Sequence, residues 1–287
     1  MLWTEILSGK FAEAVEKANG VCAMAVGCLE HHGRHLPLGQ DVLYTEGILE
    51  RAAEKEPVVI FPPMYFGEKQ GAGEYQGTVI FSSKLIFDIL TESCAEMARN
   101  GFKKIVLVNG HGGNTSMLSN FARSVLYDKN DYMVFVYRAE DTWPQVRDML
   151  DIYESDKSYF PELTESDIEV LKSYLDNPTT QGHGGLFETA MTLGIRPDLA
   201  DLSKIGEVDG RPTHILDNIK KAGFYTPFGW MADYPNSLAS VAYADNNERI
   251  GRSAVKLCAD KMARDFKVLK EDTACEAYLK QWLKKQK

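Results

Sequence analysis

The chain has 287 residues, 44% apolar and 25% charged, with a net charge of −9 at pH 7. This fits one large soluble α/β domain spanning residues 1–287, and an acidic balance without any basic stripe excludes nucleic acid as an expected partner. No window approaches about eighteen uninterrupted apolar residues and the N-terminal MLWTEILSGKFAEAVEKANG carries acids, so neither a membrane span nor a signal peptide is expected; five scattered cysteines without a CxxC pair point to reduced thiols in a cytoplasm.

Cys22–Gly27 (CAMAVG) reads as a buried strand that delivers the segment after it from its C-terminal end. Asp41–Lys55 has helical spacing at Val42, Thr45, Ile48, Leu49 and Ala52. Pro57–Pro62 (PVVIFP) reads as a second strand, Gly67–Gly77 as a glycine-rich loop and Val79–Phe81 as a short strand. Ser82 or Ser83 caps a helix reaching about Asn100. Lys104–Val108 (KIVLV) is the clearest strand; it ends in Asn109-Gly110-His111-Gly112-Gly113-Asn114, with a helix from about Thr115, and Tyr132–Tyr137 is another strand. This alternation predicts a mostly parallel sheet with helices on both faces, and ligands at the C-terminal strand ends. Asp141–Thr180 is charged and loosely helical, with Pro144, Pro161 and Pro178, and reads as an inserted helical subregion or lid. His183–Ile195 reads as a helix after a glycine turn, and Ala244–Val268 as a long amphipathic helix followed by a lysine-rich tail.

Three of the six histidines fall in Glu30-His31-His32-Gly33-Arg34-His35-Leu36-Pro37-Leu38-Gly39-Gln40-Asp41. Mixed carboxylates and imidazoles at this density suit Zn²⁺ or Mn²⁺. In an extended segment Glu30 and His32 point to the same side. Asp41 either bridges two ions about 3.5–4 Å apart or caps the following helix. His31 and His35 have the wrong parity or distance for ligands and read as surface or supporting residues. His111 stands among glycines that let the backbone approach a ligand closely, beside helix-start amides suited to an oxyanion. His183 and Glu188 are five apart, so they face one site only if His183 stands on the glycine turn. Glu188 lies among Leu186, Phe187, Ala190 and Met191, where an unpaired carboxylate is costly.

Glu30-x-His32-Gly-x-His35-Leu-Pro-Leu-Gly-x-Asp41, Asn109-Gly-His111-Gly-Gly-Asn114 and His183-x₄-Glu188-Thr189 together resemble the creatininase (creatinine amidohydrolase) family. The resemblance spans roughly residues 20–140 and 181–255. It implies a three-layer α/β/α fold, two divalent metal ions per chain (Zn²⁺ or Mn²⁺, with Fe²⁺ also suited) and a homohexamer. By it, Glu30 and His111 hold one ion, His32 and Glu188 the other, and Asp41 bridges. A bridging hydroxide attacks a carbonyl, and His183 acts as general acid towards the leaving group. Gly77-Thr78 resembles the family's Pro-Gly-Thr segment with Gln76 in place of proline, so Thr78 is expected to contact substrate, as are Gly112 and Gly113.

The departures concern the substrate. Creatininases carry Tyr and Glu directly after the motif histidine, where this chain has Gly112 and Gly113. They carry a Trp-Asp pair before the catalytic histidine, where it has Thr179 and Thr180, and a histidine before the Gly-Thr segment, where it has Ala72. Metal chemistry is therefore expected to persist and creatinine recognition to be lost. The expected reaction is C–N hydrolysis of a small cyclic amide or formamide. The alternative opens a cyclic keto-inositol or keto-sugar across a C–C bond, and a reading from another class is a non-catalytic metal-binding protein. Gly67–Gly77 and Asp141–Thr180, the segments that should decide, are the least family-like.

Overall fold

Two hydrophobic cores flank a parallel sheet. The computed structural model describes residues 1–69, 71–138, 142–176, 182–239 and 247–285. The strands are β1 (Val21–Val26), β2 (Val59–Met64), β3 (Lys104–Asn109) and β4 (Met133–Tyr137), in the order β2-β1-β3-β4 with every pair parallel. Successive side chains of β1 enter opposite cores: Val21, Ala23 and Ala25 one, Cys22, Met24 and Val26 the other. In β3, Val106 and Val108 join the first core and Ile105 and Leu107 the second. A sheet buried on both faces explains why both strands read as continuous apolar runs. As an edge strand, β2 tolerates Pro62 and Pro63.

The helices in chain order are α1 (Phe11–Lys17), α2 (Gln40–Lys55), α3 (Ser83–Arg99), α4 (Asn114–Ser124), α5 (Val146–Ser155), α6 (Glu165–Asp176), α7 (Leu186–Ile195), α8 (Asp217–Lys221), α9 (Gly229–Asp233), α10 (Glu248–Glu271) and α11 (Ala274–Lys285). Helices α2, α5, α6, α7 and α10 contribute to the first core and α1, α3 and α4 to the second, which makes three layers. Ser82 caps α3, its side chain accepting from Leu85 N at 3.3 Å, and Asn247 caps α10 by accepting from Ile250 N at 3.1 Å. The expected start of that last helix, at Ala244, lies outside the described residues.

Two expectations are corrected. Val79–Phe81 is not a strand: Val79 N donates to Leu29 O at 3.1 Å, but no ladder follows. The residues after α10 are not a plain tail, because Ala274–Lys285 is a helix. Its Leu279 and Trp282 border a groove with Leu126 and Tyr132, an apolar spacing masked in the sequence by the lysines around it. The insert places Met149, Leu150, Tyr153, Leu171 and Tyr174 in the first core, so it is built into the body of the fold. Its expected ends, residue 141 and residues 177–180, lie outside the described residues.

Helices α7 and α10 cross through glycine. A Cβ on Gly251 would stand 1.8 Å from Ala190 O, and one on Gly194 would stand 2.4 Å from the Gly251 carbonyl carbon. No side chain fits between the two backbones at that crossing.

Candidate metal centre

The chain passes from β1 to β2 on one side and places β3 on the other, so a crevice opens outside the C-terminal ends of β1 and β3. Glu30 and His32 follow β1, and His111 follows β3. Asp41 stands in the first turn of α2 and Glu188 in the first turn of α7. Gly110 permits the convergence, because a Cβ there would lie 2.1 Å from Thr45 Oγ1 and 2.5 Å from Asp41 O. The asparagines of the glycine-rich turn hold it in place. Asn109 Oδ1 accepts from His111 N at 3.0 Å, Asn114 Oδ1 accepts from Glu68 N at 2.7 Å, and Asn114 Nδ2 donates to Val26 O at 3.3 Å.

Asp41 straddles two sets of donor atoms. Its Oδ1 lies 3.1 Å from His32 Nε2, which is 3.8 Å from Glu188 Oε2. Its Oδ2 lies 2.9 Å from His111 Nδ1, which is 3.4 Å from Glu30 Oε2. His183 Nε2 is 3.6 Å from Glu30 Oε1, and its ring stacks on His32 with centroids 4.0 Å apart. Three groups of atoms each lie within 4.8 Å of one another: Cys28, Glu30, Asp41 and His111; Glu30, His32 and His183; and His32, Asp41 and Glu188. The structure thus brings together Glu30, His32, Asp41, His111, His183 and Glu188 from distant parts of the chain.

Hydrogen bonding fixes two of the histidine tautomers. His32 Nδ1 lies 3.0 Å from Glu30 O, and His183 Nε2 lies 2.8 Å from His31 O. A carbonyl only accepts, so both of these nitrogens carry hydrogen. His32 in its neutral form therefore aims the lone pair of Nε2 at two carboxylates. That nitrogen and Glu30 Oε1 are buried without an aligned hydrogen bond. Acceptors facing acceptors, out of water, make a place for a cation.

The charges respond accordingly. Burial works against the charge of His32, but Asp41 and Glu188 outweigh it and raise the ring to about 10. Burial likewise opposes ionisation of Glu30, yet His183, His111, His32 and Lys69 bring it down to about 2. Asp41 is held well below the usual carboxylate range against its burial, by His32 and His111. Burial raises Glu188 to about 7 and, with the charge of His32, lowers His183 to about 3.

Gly112 and Gly113 line a cavity of about 940 Å³ beside this cluster. Thr78 does not: its Oγ1 is buried without a partner, in a turn in which its amide donates to Tyr75 O. His35 is buried with Nε2 3.0 Å from Thr189 Oγ1, and the His31 ring stacks on Tyr75, so neither joins the donor groups. Thr179 and Thr180 lie outside the described residues. Sequence reasoning missed Cys28, whose thiol donates to Asp41 Oδ2 at 3.1 Å, and Lys69, whose Nζ lies 2.5 Å from Glu30 Oε1. It also missed the aromatic wall of Trp143, Tyr225 and Trp230. Only Lys69 had a signal, as a charged residue within the glycine-rich loop expected to decide the substrate.

The imidazole and carboxylate donors define a candidate metal site, and a family match supplies the class, a metal-dependent hydrolase. The family model for creatininase, described as creatinine amidohydrolase, matches residues 5–266, and the chain belongs to the creatininase family. It is 27% identical to creatinine amidohydrolase of Pseudomonas putida over 212 residues, 70% of this chain and 74% of that protein. It is 31% identical over 88 residues to 3-dehydro-scyllo-inosose hydrolase of Thermotoga maritima, 30% of this chain and 28% of that one. A crystal structure of creatininase superposes with a TM-score of 0.68 at 23% identity, covering 95% of this chain and 98% of that one. A manganese form of creatininase gives 0.67 at 21% identity, covering 94% and 99%. At such identities this is a member of the family and not creatininase proper.

Proposed function

We propose that the chain is a dinuclear metal hydrolase that cleaves the C–N bond of a cyclic amide or formamide. The observation carrying this reading is the placement of Asp41, each of whose oxygens faces a different imidazole, His32 at 3.1 Å and His111 at 2.9 Å. Glu30 and His111 would hold one ion, His32 and Glu188 the other, with Asp41 between them. The imidazole and carboxylate donors suit Zn²⁺, Mn²⁺ or Fe²⁺, and the manganese form of a creatininase supports the first-row choice. When bound, two such ions supply a water of lowered pKa and polarise the carbonyl.

His183 moves the proton. Its Nε2–H is held by His31 O, so neutral Nδ1 is the atom that accepts hydrogen from water. The imidazolium then returns that proton to the leaving nitrogen as the C–N bond breaks and the new C–O bond remains. Gly112 and Gly113, without side chains, leave room for substrate beside His111. The likeness to 3-dehydro-scyllo-inosose hydrolase favours a second reading, ring opening of a cyclic keto-sugar across a C–C bond.

Exposed Ile215, Phe224, Tyr225 and Phe228 support self-association into the homo-oligomer that the resemblance implies. No described helix is long and apolar enough to cross a membrane, and the five unpaired cysteines support a reducing cytoplasm.

Metal analysis of the purified protein, with a screen of cyclic amides, formamides and keto-cyclitols in Mn²⁺ or Zn²⁺, tests these readings. Two ions per chain and amide turnover lost on chelation are expected. Zero or one ion overturns the dinuclear centre. Turnover of keto-cyclitols alone selects the second reading, and bound ions with no turnover leave a non-catalytic metal-binding protein.

A further inference from the structure

We propose that Lys69 is the specificity-determining residue of this site and that the substrate amide carries a carboxylate for it to bind. The inference rests on the dinuclear reading above. Lys69 is only 8% exposed, and it is the one lysine or arginine among the described residues lining the cavity. Its position is set by the loop after β2, where Gly67 N donates to Gly27 O at 2.8 Å and Glu68 N to Asn114 Oδ1 at 2.7 Å. The ammonium therefore reaches the cavity from a backbone tied to both β1 and the turn carrying His111.

Nζ lies 2.5 Å from Glu30 Oε1 and 4.4 Å from the centre of the Trp230 ring. Glu30 Oε1 nevertheless has no aligned hydrogen bond, so the contact with Lys69 is one of charge alone. Glu30 is also the carboxylate placed to hold an ion with His111. Two divalent ions would bring four positive charges, balanced by the three carboxylates Glu30, Asp41 and Glu188 and the attacking hydroxide, with the histidines neutral as ligands. Glu30 cannot then also neutralise Lys69. The rim carboxylate Glu68 accepts from Ser83 Oγ at 2.6 Å and forms no ion pair with Lys69, whose paired carboxylate is Glu30.

A buried ammonium whose one carboxylate partner is taken up by the ion centre needs another anion, and the open side of the cavity is where one can enter. The indole of Trp230 steadies the ammonium without neutralising it. One lysine with no arginine partner suits a monoanionic carboxylate better than a phosphate, which favours bidentate guanidinium contacts. The geometry selects a substrate with its carboxylate a short distance from the carbonyl under attack.

The test compares 5-oxoproline with 2-pyrrolidinone, the same lactam ring with and without a carboxylate. Binding is measured by calorimetry on the metal-loaded protein, with metal content determined on each sample. The wild type is expected to bind 5-oxoproline at least about tenfold more tightly, the lower end for a hydrogen bond to a charged group. Lys69→Met and Lys69→Gln, each retaining two ions, should lose that preference while 2-pyrrolidinone binding stays unchanged, and Lys69→Arg should restore part of it. Equal affinity of the loaded wild type for both probes, or no binding of either, overturns the proposal. So does a Lys69→Met protein that retains both ions and the preference. A wild type that binds no metal instead sinks the dinuclear reading, and this proposal with it.

Discussion

Two buried acidic clusters in this molecule look alike in burial and differ in what surrounds them. Asp167, at the start of α6, is 1% exposed, and every contact it makes is complementary. Its Oδ2 accepts from Thr164 N at 2.9 Å, Thr164 Oγ1 at 2.7 Å and Arg249 Nε at 2.8 Å. Its Oδ1 accepts from Asn247 Nδ2 and Arg249 Nη2, both at 2.8 Å. Glu30 and Asp41 are as deeply buried and Glu188 is 8% exposed, yet they face imidazole nitrogens and one another, and Glu30 Oε1 and His32 Nε2 have no aligned hydrogen bond. Asp167 fastens the insert to the N-terminus of α10. In the other cluster Lys69 and the imidazoles lend charge, but those two buried atoms stay without an aligned hydrogen bond. Burial of an acid does not mark function; burial with its bonds left open does.

The comparison can be broken in three ways. Asp41→Asn should have the largest effect: metal content falling below one ion per chain, with turnover reduced on the order of 10³-fold. Retention of two ions by that variant, measured by elemental analysis, would remove Asp41 from its place between the two sets. His183→Ala should keep both ions and lose about 10²–10⁴-fold in turnover, the range for a proton-transferring group. Loss of metal instead would make His183 a ligand, as its distances to Glu30 and His32 permit.

Asp167→Asn should leave metal content unchanged and cost about 2 kcal/mol in denaturant unfolding, because Arg249 is partly in water. Burial alone would raise the Asp167 carboxyl, but Arg249, Thr164 and Asn247 hold it well below the usual range. A depressed folded pKa means the stabilisation is complete above about pH 4, the unfolded value, and is lost as pH falls through the folded one. The difference in urea midpoint between wild type and Asp167→Asn should therefore shrink on acidification. A constant difference from pH 6 to pH 3 would contradict the assignment.

The candidate donor cluster was legible because three of its members sit within twelve residues behind an apolar strand, where parity and turn residues constrain them. It showed the sheet because strands buried on both faces leave unbroken apolar runs. Cys28 was not legible and Lys69 only by its loop: a thiol beside an apolar strand is ordinarily packing, and a single lysine is ordinarily solvated. Their roles arise only when β1, the loop after β2 and α2 meet. The extra helix α11 was hidden because its apolar residues alternate with lysines that give the segment the look of a charged end.

The glycine crossing of α7 and α10 has a reach beyond packing. Glu188 lies six residues before Gly194, about 9 Å along the axis of α7. With backbone against backbone at the crossing, α7 has no slack, and the longest helix of the fold acts as a gauge block for a single carboxylate. A methyl group added at Gly251 must push α7 aside, so an alteration on a distant helix would be felt as a displaced Glu188 carboxylate. The position of that carboxylate is machined into a contact made by residues outside the donor groups.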